Sequence, residues 1–216
     1  MPANKKTAAA ADRVNIAVLV SGGGTNLQAL LDAERDGIIK SGTIRLVVSS
    51  KRDAYALTRA ANAGVKTVVC ERGDNFEANI ISALEAEMID MIVLAGFMSI
   101  LSADFIAHYR DRIINVHPSL IPSFCGDGYY GLRVHRAALD YGVKVSGATV
   151  HFVNEVCDGG KIILQKAVDV LDGDTPETLQ KRIMTEAEWV LLPRACEMVA
   201  FDILSERAGK SAAKKD

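Results

Sequence analysis

Val14-Asn15-Ile16-Ala17-Val18-Leu19-Val20-Ser21-Gly22-Gly23-Gly24-Thr25-Asn26-Leu27 opens the folded part of the chain and decides its class. The run 14–20 is apolar apart from Asn15 and predicts a buried strand. Leu27, Leu30 and Leu31 then fall on one face of a helix. Strand, glycine loop and helix together bring free backbone N–H groups to a helix N-terminus, which is a seat for a phosphate. The loop is not a Walker motif, because no Gly-Lys-Ser/Thr follows. Nor is it a dinucleotide fingerprint: counted from Gly22 and Gly24, Leu27 stands in the place of the last glycine. A plain βα turn with positive φ accounts for the glycines equally well.

The same rhythm continues outward. Strands are expected at 44–49, 65–69 and 89–95, with helices over 54–63 and 75–87 between them. Gly64 caps the first of these helices. Strands alternating with helices predict an α/β fold with a doubly wound, mostly parallel sheet. Ser102 caps a short helix to 107, and the apolar run from 113 ends as a strand at His117-Pro118. A helix over 132–139 and strands at 146–153 and 162–168, joined through Asp158-Gly159-Gly160, predict an antiparallel hairpin addition to the sheet. Thr175-Pro176 starts a long helix, expected to kink or restart at Pro193 and to reach 204. The expected organisation is a disordered lead-in at 1–12, one domain over 13–207 and a disordered tail at 208–216.

Composition narrows the function. With 25 basic and 27 acidic residues among 216, the net charge of -2 provides no field that would draw nucleic acid or a membrane surface. The most apolar segment, 81–101, is interrupted by Glu85, Glu87 and Asp90 and does not span a bilayer. Cys70, Cys125, Cys157 and Cys196 lack metal-ligand spacing, as do the four histidines, so no metal is expected. Reduced thiols in a cytoplasmic protein fit this pattern.

Asn115, His117 and Asp158 carry the candidate chemistry. Asn115 and His117 lie two apart on one face of a buried strand, and Asp158 lies in a tight turn. Histidine exchanges protons near neutrality, an aspartate orients it or favours its charge, and an amide donates to an oxygen that gains charge. No serine or cysteine is placed as a nucleophile, which favours direct attack by a substrate amine on an activated carbonyl. Each of the three also has a bland reading: a strand-end histidine on a backbone carbonyl, a turn former before two glycines, a capping amide. His151, inside an alternating strand, reads as a satisfied structural histidine. Phe97, Met98, Ile100 and Leu101 either line a flat organic ligand or belong to the core. Residues 124–131 form a glycine and aromatic loop that reads as a lid, a wall or ordinary surface.

Ser21-Gly22-Gly23-Gly24-Thr25-Asn26-Leu27-Gln28, Ala95-Gly96-Phe97-Met98, the run from Asn115 to Pro122, and Val150-His151-Phe152-Val153 with Asp158-Gly159-Gly160 together resemble the phosphoribosylglycinamide formyltransferases. These are the folate-dependent enzymes of purine biosynthesis, and the likeness covers about residues 14–200. The resemblance implies transfer of the formyl group of 10-formyltetrahydrofolate, as co-substrate, to the amine of glycinamide ribonucleotide through a tetrahedral intermediate. Asn115 and His117 would stabilise the oxyanion, and Asp158 would hold His117 protonated. Gly22, Gly23, Gly24, Thr25 and Asn26 would hold the phosphate, and Glu188 the ribose; without the resemblance Glu188 reads as a solvent-facing helix residue. Phe97, Met98, Ile100, Leu101, Val153, Asn154, Glu155 and Val156 would bind folate. The implied partners are these two small molecules, with neither nucleic acid nor membrane, for a monomer or homodimer. Formyltetrahydrofolate hydrolases, which usually carry an N-terminal regulatory domain, and methionyl-tRNA formyltransferases, with their further C-terminal domain, fit less well. Three departures stand out: Ser99 where many members have arginine, Trp189 where histidine is frequent, and a longer loop at 124–131.

Overall fold

A strand buried on both faces and both edges belongs in the middle of a sheet. In the computed structural model, which describes residues 13–212, β1 (Val14–Val20) takes that place, parallel to β2 (Gly42–Ser49) and to β4 (Met91–Leu94). β3 (Lys66–Val69) lies parallel beyond β2, and β5 (Ile113–His117) parallel beyond β4. β6 (Val145–Phe152) and β7 (Ile162–Asp169) follow, each antiparallel to its neighbour. The order β3-β2-β1-β4-β5-β6-β7 is the expected doubly wound sheet with its hairpin addition.

Alternation along the strands feeds two cores. Ile16, Val18, Val20 and Val93 pack with α1 (Thr25–Arg35), α2 (Tyr55–Asn62) and α7 (Trp189–Ala212) on one face. Ala17, Leu19, Ile92 and Ile113 pack with α3 (Phe76–Ala86) and α4 (Ala103–His108) on the other. The chain turns from one side of the sheet to the other between β1 and β4, so the loops leaving these strands flank a crevice at their carboxyl ends. α5 (Leu132–Tyr141) lies in the connection from β5 to β6.

The C-terminal helices depart from expectation. Thr175 accepts a hydrogen bond from Thr178 N at 3.2 Å and opens α6 (Pro176–Ile183), as its sequence signal requires. The irregularity expected at Pro193 comes earlier, as a π-helical turn at Met184–Glu188, and α7 runs through Pro193. One turn past that wide turn, the missing N–H of Pro193 has less regular ladder to interrupt. α7 continues to Ala212, so residues 208–212 of the expected tail are helical. Extending a helix already formed costs little. The expected lead-in at 1–12 and the last four residues, 213–216, lie outside the described residues.

Two glycines are required by what approaches them. Gly24 has φ +72°, and a Cβ there would lie 2.6 Å from Ala56 Cβ. At Gly160 a Cβ would lie 1.7 Å from the Phe152 carbonyl oxygen, where β6 and β7 close on the Asp158 turn. Gly160→Ala therefore has to push the two strands apart. We expect a loss of about 3 kcal/mol in unfolding free energy, the upper end for overpacking, read from the urea midpoint. An unchanged midpoint would show that the hairpin opens freely.

Candidate active site

β5 carries Asn115 and His117 to the carboxyl edge on one face, and the antiparallel register sets His151 directly opposite Asn115. His151 Nδ1 donates to the Phe152 carbonyl at 2.8 Å, which leaves Nε2 to accept from Asn115 Nδ2 at 3.2 Å. Asp158 Oδ1 lies 3.6 Å from His151 Nε2, and its Oδ2 lies 3.4 Å from His117 Nδ1. The same Oδ2 accepts the Gly126 N–H at 2.9 Å, while His117 Nε2 donates to the Phe124 carbonyl at 2.9 Å. The structure thus brings together Asn115, His117 and Asp158, and it adds His151 as the link between Asn115 and the carboxylate. Reading His151 as a satisfied histidine captured only its Nδ1 side.

With Nε2–H committed to a carbonyl, a neutral His117 turns a bare lone pair towards Asp158, and protonation would convert that contact into an ion pair. Burial is nevertheless the largest influence and takes the His117 pKa below its ordinary value, although Asp158 and the Phe124 carbonyl push upward. Burial thus works against the expectation that Asp158 holds His117 protonated. For Asp158 itself burial pushes the pKa up, but the His151 ring, the Gly126 N–H and the charge of His117 together bring it below the usual carboxylate value. The two residues facing the nitrogens of His117 are also conformationally costly, Phe124 with φ 49° and Asp158 with φ 54°. Left-handed backbone costs a non-glycine residue roughly 1–2 kcal/mol and persists where surrounding contacts impose it.

These groups open into a cavity of about 700 Å³. The residues expected to hold folate, Phe97, Met98, Ile100, Leu101 and Val153 through Val156, all line it. Leu101 also serves the core, whereas Ile100 is 81% exposed. Phe97 is supported from behind by Phe76, the rings nearly parallel with centroids 6.2 Å apart. Residues 126–131 form another wall, so the glycine and aromatic loop belongs to the cavity.

Of the glycine loop only Asn26 lines this cavity, and Gly22 through Thr25 do not. Their carbonyls are engaged from α2: Ala56 N donates to Gly22 at 3.1 Å and Arg59 Nε to Gly23 at 2.9 Å. α1 has no side-chain cap at its start, which leaves its first N–H groups for an anion. Ser21, next to the loop, is structural. Its buried hydroxyl lies 2.7 Å from Ser50 Oγ and accepts Met98 N–H at 3.0 Å, tying together the ends of β1, β2 and β4.

Glu188 ends the π-helical turn, a type of irregularity frequent at functional sites. It is 6% exposed, lines the cavity and accepts from Asn26 Nδ2 at 2.7 Å, so the solvent-facing reading is overturned. Burial raises its pKa against the opposing hydrogen bond from Asn26. Trp189 does not line the cavity. At Ser99 a guanidinium is present after all, supplied from the end of β3. Arg72 Nε donates to Ser99 Oγ at 3.0 Å, and its Nη2 donates to the Met98 carbonyl.

His135 was missed. It is fully buried on α5, lines the cavity, and neither ring nitrogen has a protein partner. The signal was its position among Val134, Ala138 and Leu139 on the inward face, which the residue types alone did not single out. Burial, and then the charge of His117, push its pKa down to about 4. Because the unfolded chain binds this proton near 6.5, stability is intact above that pH and falls as pH drops towards 4. A shift of that size is worth roughly 3 kcal/mol. We expect His135→Leu to remove roughly 2–3 kcal/mol of the stability lost between pH 7.5 and 4.5, measured from urea midpoints of both proteins. Parallel pH curves would show that His135 titrates normally.

The chain is similar to known proteins over most of its length. Residues 14–195 match the formyl transferase family. The chain is 44% identical over 178 residues to phosphoribosylglycinamide formyltransferase of Escherichia coli (strain K12), covering 80% of this chain and 81% of that protein. It is 42% identical over 193 residues to the trifunctional purine biosynthetic protein adenosine-3 of Homo sapiens, of which it spans 18%. The crystal structure of glycinamide ribonucleotide transformylase 1 from Symbiobacterium toebii superposes with a TM-score of 0.82 at 42% identity, covering 89% of this chain and 90% of that one.

Proposed function

The chain belongs to the formyl transferase family, and from that premise we propose that it transfers the formyl group of 10-formyltetrahydrofolate to the amine of glycinamide ribonucleotide, in de novo purine biosynthesis in the cytoplasm. The observation that carries the reading is the meeting of Asn115, His117 and Asp158, through His151, in one cavity. An uncapped helix start lies near one end of that cavity, and an apolar wall forms the other.

In this reading the phosphate of the ribonucleotide meets the N–H groups of residues 22–26, and Glu188 takes the ribose hydroxyls. Phe97, Met98, Ile100 and Leu101 take the flat body of the folate, and residues 153–156 its polar edge. The substrate amine adds to the formyl carbon, a C–N bond forms, and the carbonyl oxygen becomes an oxyanion. Asn115 donates to that oxygen. His117 is held mostly neutral by burial until the oxyanion appears, and the new negative charge then raises its affinity for a proton. The attacking nitrogen loses a proton by way of Asp158 and water, the folate nitrogen gains one, and the bond between that nitrogen and the formyl carbon breaks. Asp158 orients the ring and takes up the positive charge of the imidazolium as an ion pair.

The test mixes the protein with 10-formyltetrahydrofolate and follows tetrahydrofolate release by absorbance, with and without glycinamide ribonucleotide. Release that requires the ribonucleotide is expected. Equal release without it would make the protein a hydrolase, and none in either case would leave a binding protein. Asp158→Asn is expected to keep the fold and lower turnover by about 10²–10⁴-fold, the range for lost acid–base assistance; near-normal turnover would sink its role.

Glu188→Gln separates binding from stability. A buried carboxylate with a raised pKa destabilises the folded state as pH rises through and above 4.5, so the neutral amide should raise Tm by about 2–4 °C at neutral pH. The same change should raise KM for the ribonucleotide by at least about tenfold, as expected for a lost charged hydrogen bond. A lower Tm, or an unchanged KM, would contradict the assignment.

A further inference from the structure

We propose that Lys166 is a positioning residue for Glu188: from β7 its ammonium holds open the π-helical turn that keeps the carboxylate in the cavity. The proposal rests on the reading above in which Glu188 takes the ribose hydroxyls. Lys166 Nζ donates to the Glu186 carbonyl at 2.5 Å, inside the turn Met184–Glu188. Lys166 itself does not line the cavity. Among the described residues it forms no ion pair, and its side chain donates only to this carbonyl.

The lysine is anchored at its other end. Ala148 of β6 lies opposite it, and Gly147 approaches so closely that a Cβ there would lie 2.1 Å from the Lys166 carbonyl oxygen. Lys166 shares a face of β7 with Leu164 and Val168, which pack into the same core as Ile183 and Ala187. An exposed lysine on that face can cover apolar surface with its stem while the ammonium reaches a polar group. The turn it meets is irregular. Trp189 N–H reaches back five residues to the Met184 carbonyl. Thr185 Oγ1 lies 3.0 Å from the Lys181 carbonyl and 3.1 Å from that of Arg182, back-bonding of the kind that bends helices. A π-helical turn takes up one residue more than an α-helical one, so its relaxation would swing Glu188 by roughly 100° relative to α6. That swing would carry the carboxylate away from Asn26 Nδ2, to which it is bonded at 2.7 Å. A cation fixed on a carbonyl of the turn opposes the relaxation from outside the cavity.

The experiment compares Lys166→Met, which keeps the stem and removes the donor, with Lys166→Arg, which keeps a donor, in steady-state kinetics on the full chain. Lys166→Met is expected to raise KM for glycinamide ribonucleotide by about 3- to 10-fold, the equivalent of one exposed charged hydrogen bond. Turnover and KM for 10-formyltetrahydrofolate should stay within about twofold, because only ground-state binding of one substrate is touched. Lys166→Arg should bring the ribonucleotide KM back to within about twofold of the wild type. In a Glu188→Gln background, Lys166→Met should add less than about twofold, since the carboxylate to be positioned is gone. An unchanged ribonucleotide KM in Lys166→Met, with a raised one in Glu188→Gln, overturns the positioning role alone. So does an equal rise in both KM values or a fall in turnover, which would mark a general loss of structure, and so does a failure of arginine to rescue. A fully additive effect on Glu188→Gln overturns it as well. An unchanged KM in Glu188→Gln itself overturns the ribose reading and the positioning role together.

Discussion

A carboxylate taken out of water has to be met by donors, and in this protein the demand falls on Asp158. Its Oδ2 accepts the Gly126 N–H, and its two oxygens face the Nδ1 edge of His117 and the Nε2 edge of His151, which donate to it once the rings are protonated. Those groups come from a loop, from β5 and from β6, so the solvation of one side chain draws three separate segments around one point. Leaving a buried charge without such partners costs several kcal/mol, far more than the left-handed backbone at Asp158 and Phe124. The geometry around His117 follows from that inequality.

The rest of the cavity shows a similar preference for chemistry over stability. Glu188 is buried with a single hydrogen bond from Asn26, and Asn26 Oδ1 and both nitrogens of His135 have no protein partner. Each such group is unfavourable for folding considered alone. Two continuous apolar cores, one on each face of the sheet, supply the stability that allows this. They also make the carboxyl edge of the sheet a rigid rim, on which Ser21 ties the ends of β1, β2 and β4. The site is therefore built on strand ends and held from below, and its outer walls are loops.

How far the sequence could be read differed by the kind of information required. The alternation of strand and helix, the capped start at Thr175 and the shared face of Asn115 and His117 depend on periods of two or 3.6 residues and on local turn chemistry. These were legible and they hold in the structure. The role of His151 was not, because it depends on the antiparallel register that pairs it with Asn115. Nor was the π-helical turn that buries Glu188, which is an irregularity of the ladder with no residue signature. The departure at Ser99 was visible as a missing guanidinium, but its replacement comes from Arg72, 27 positions away in the chain.

By itself the sequence determined the order of the elements, the faces they bury and the residue types available at each strand end, since these follow from local sterics and from the period of apolar side chains. Tertiary structure decided which of those polar ends meet, what protonation state they prefer and which cations remain unpaired. Burial and distance set these properties, and neither exists until remote segments of the chain pack together.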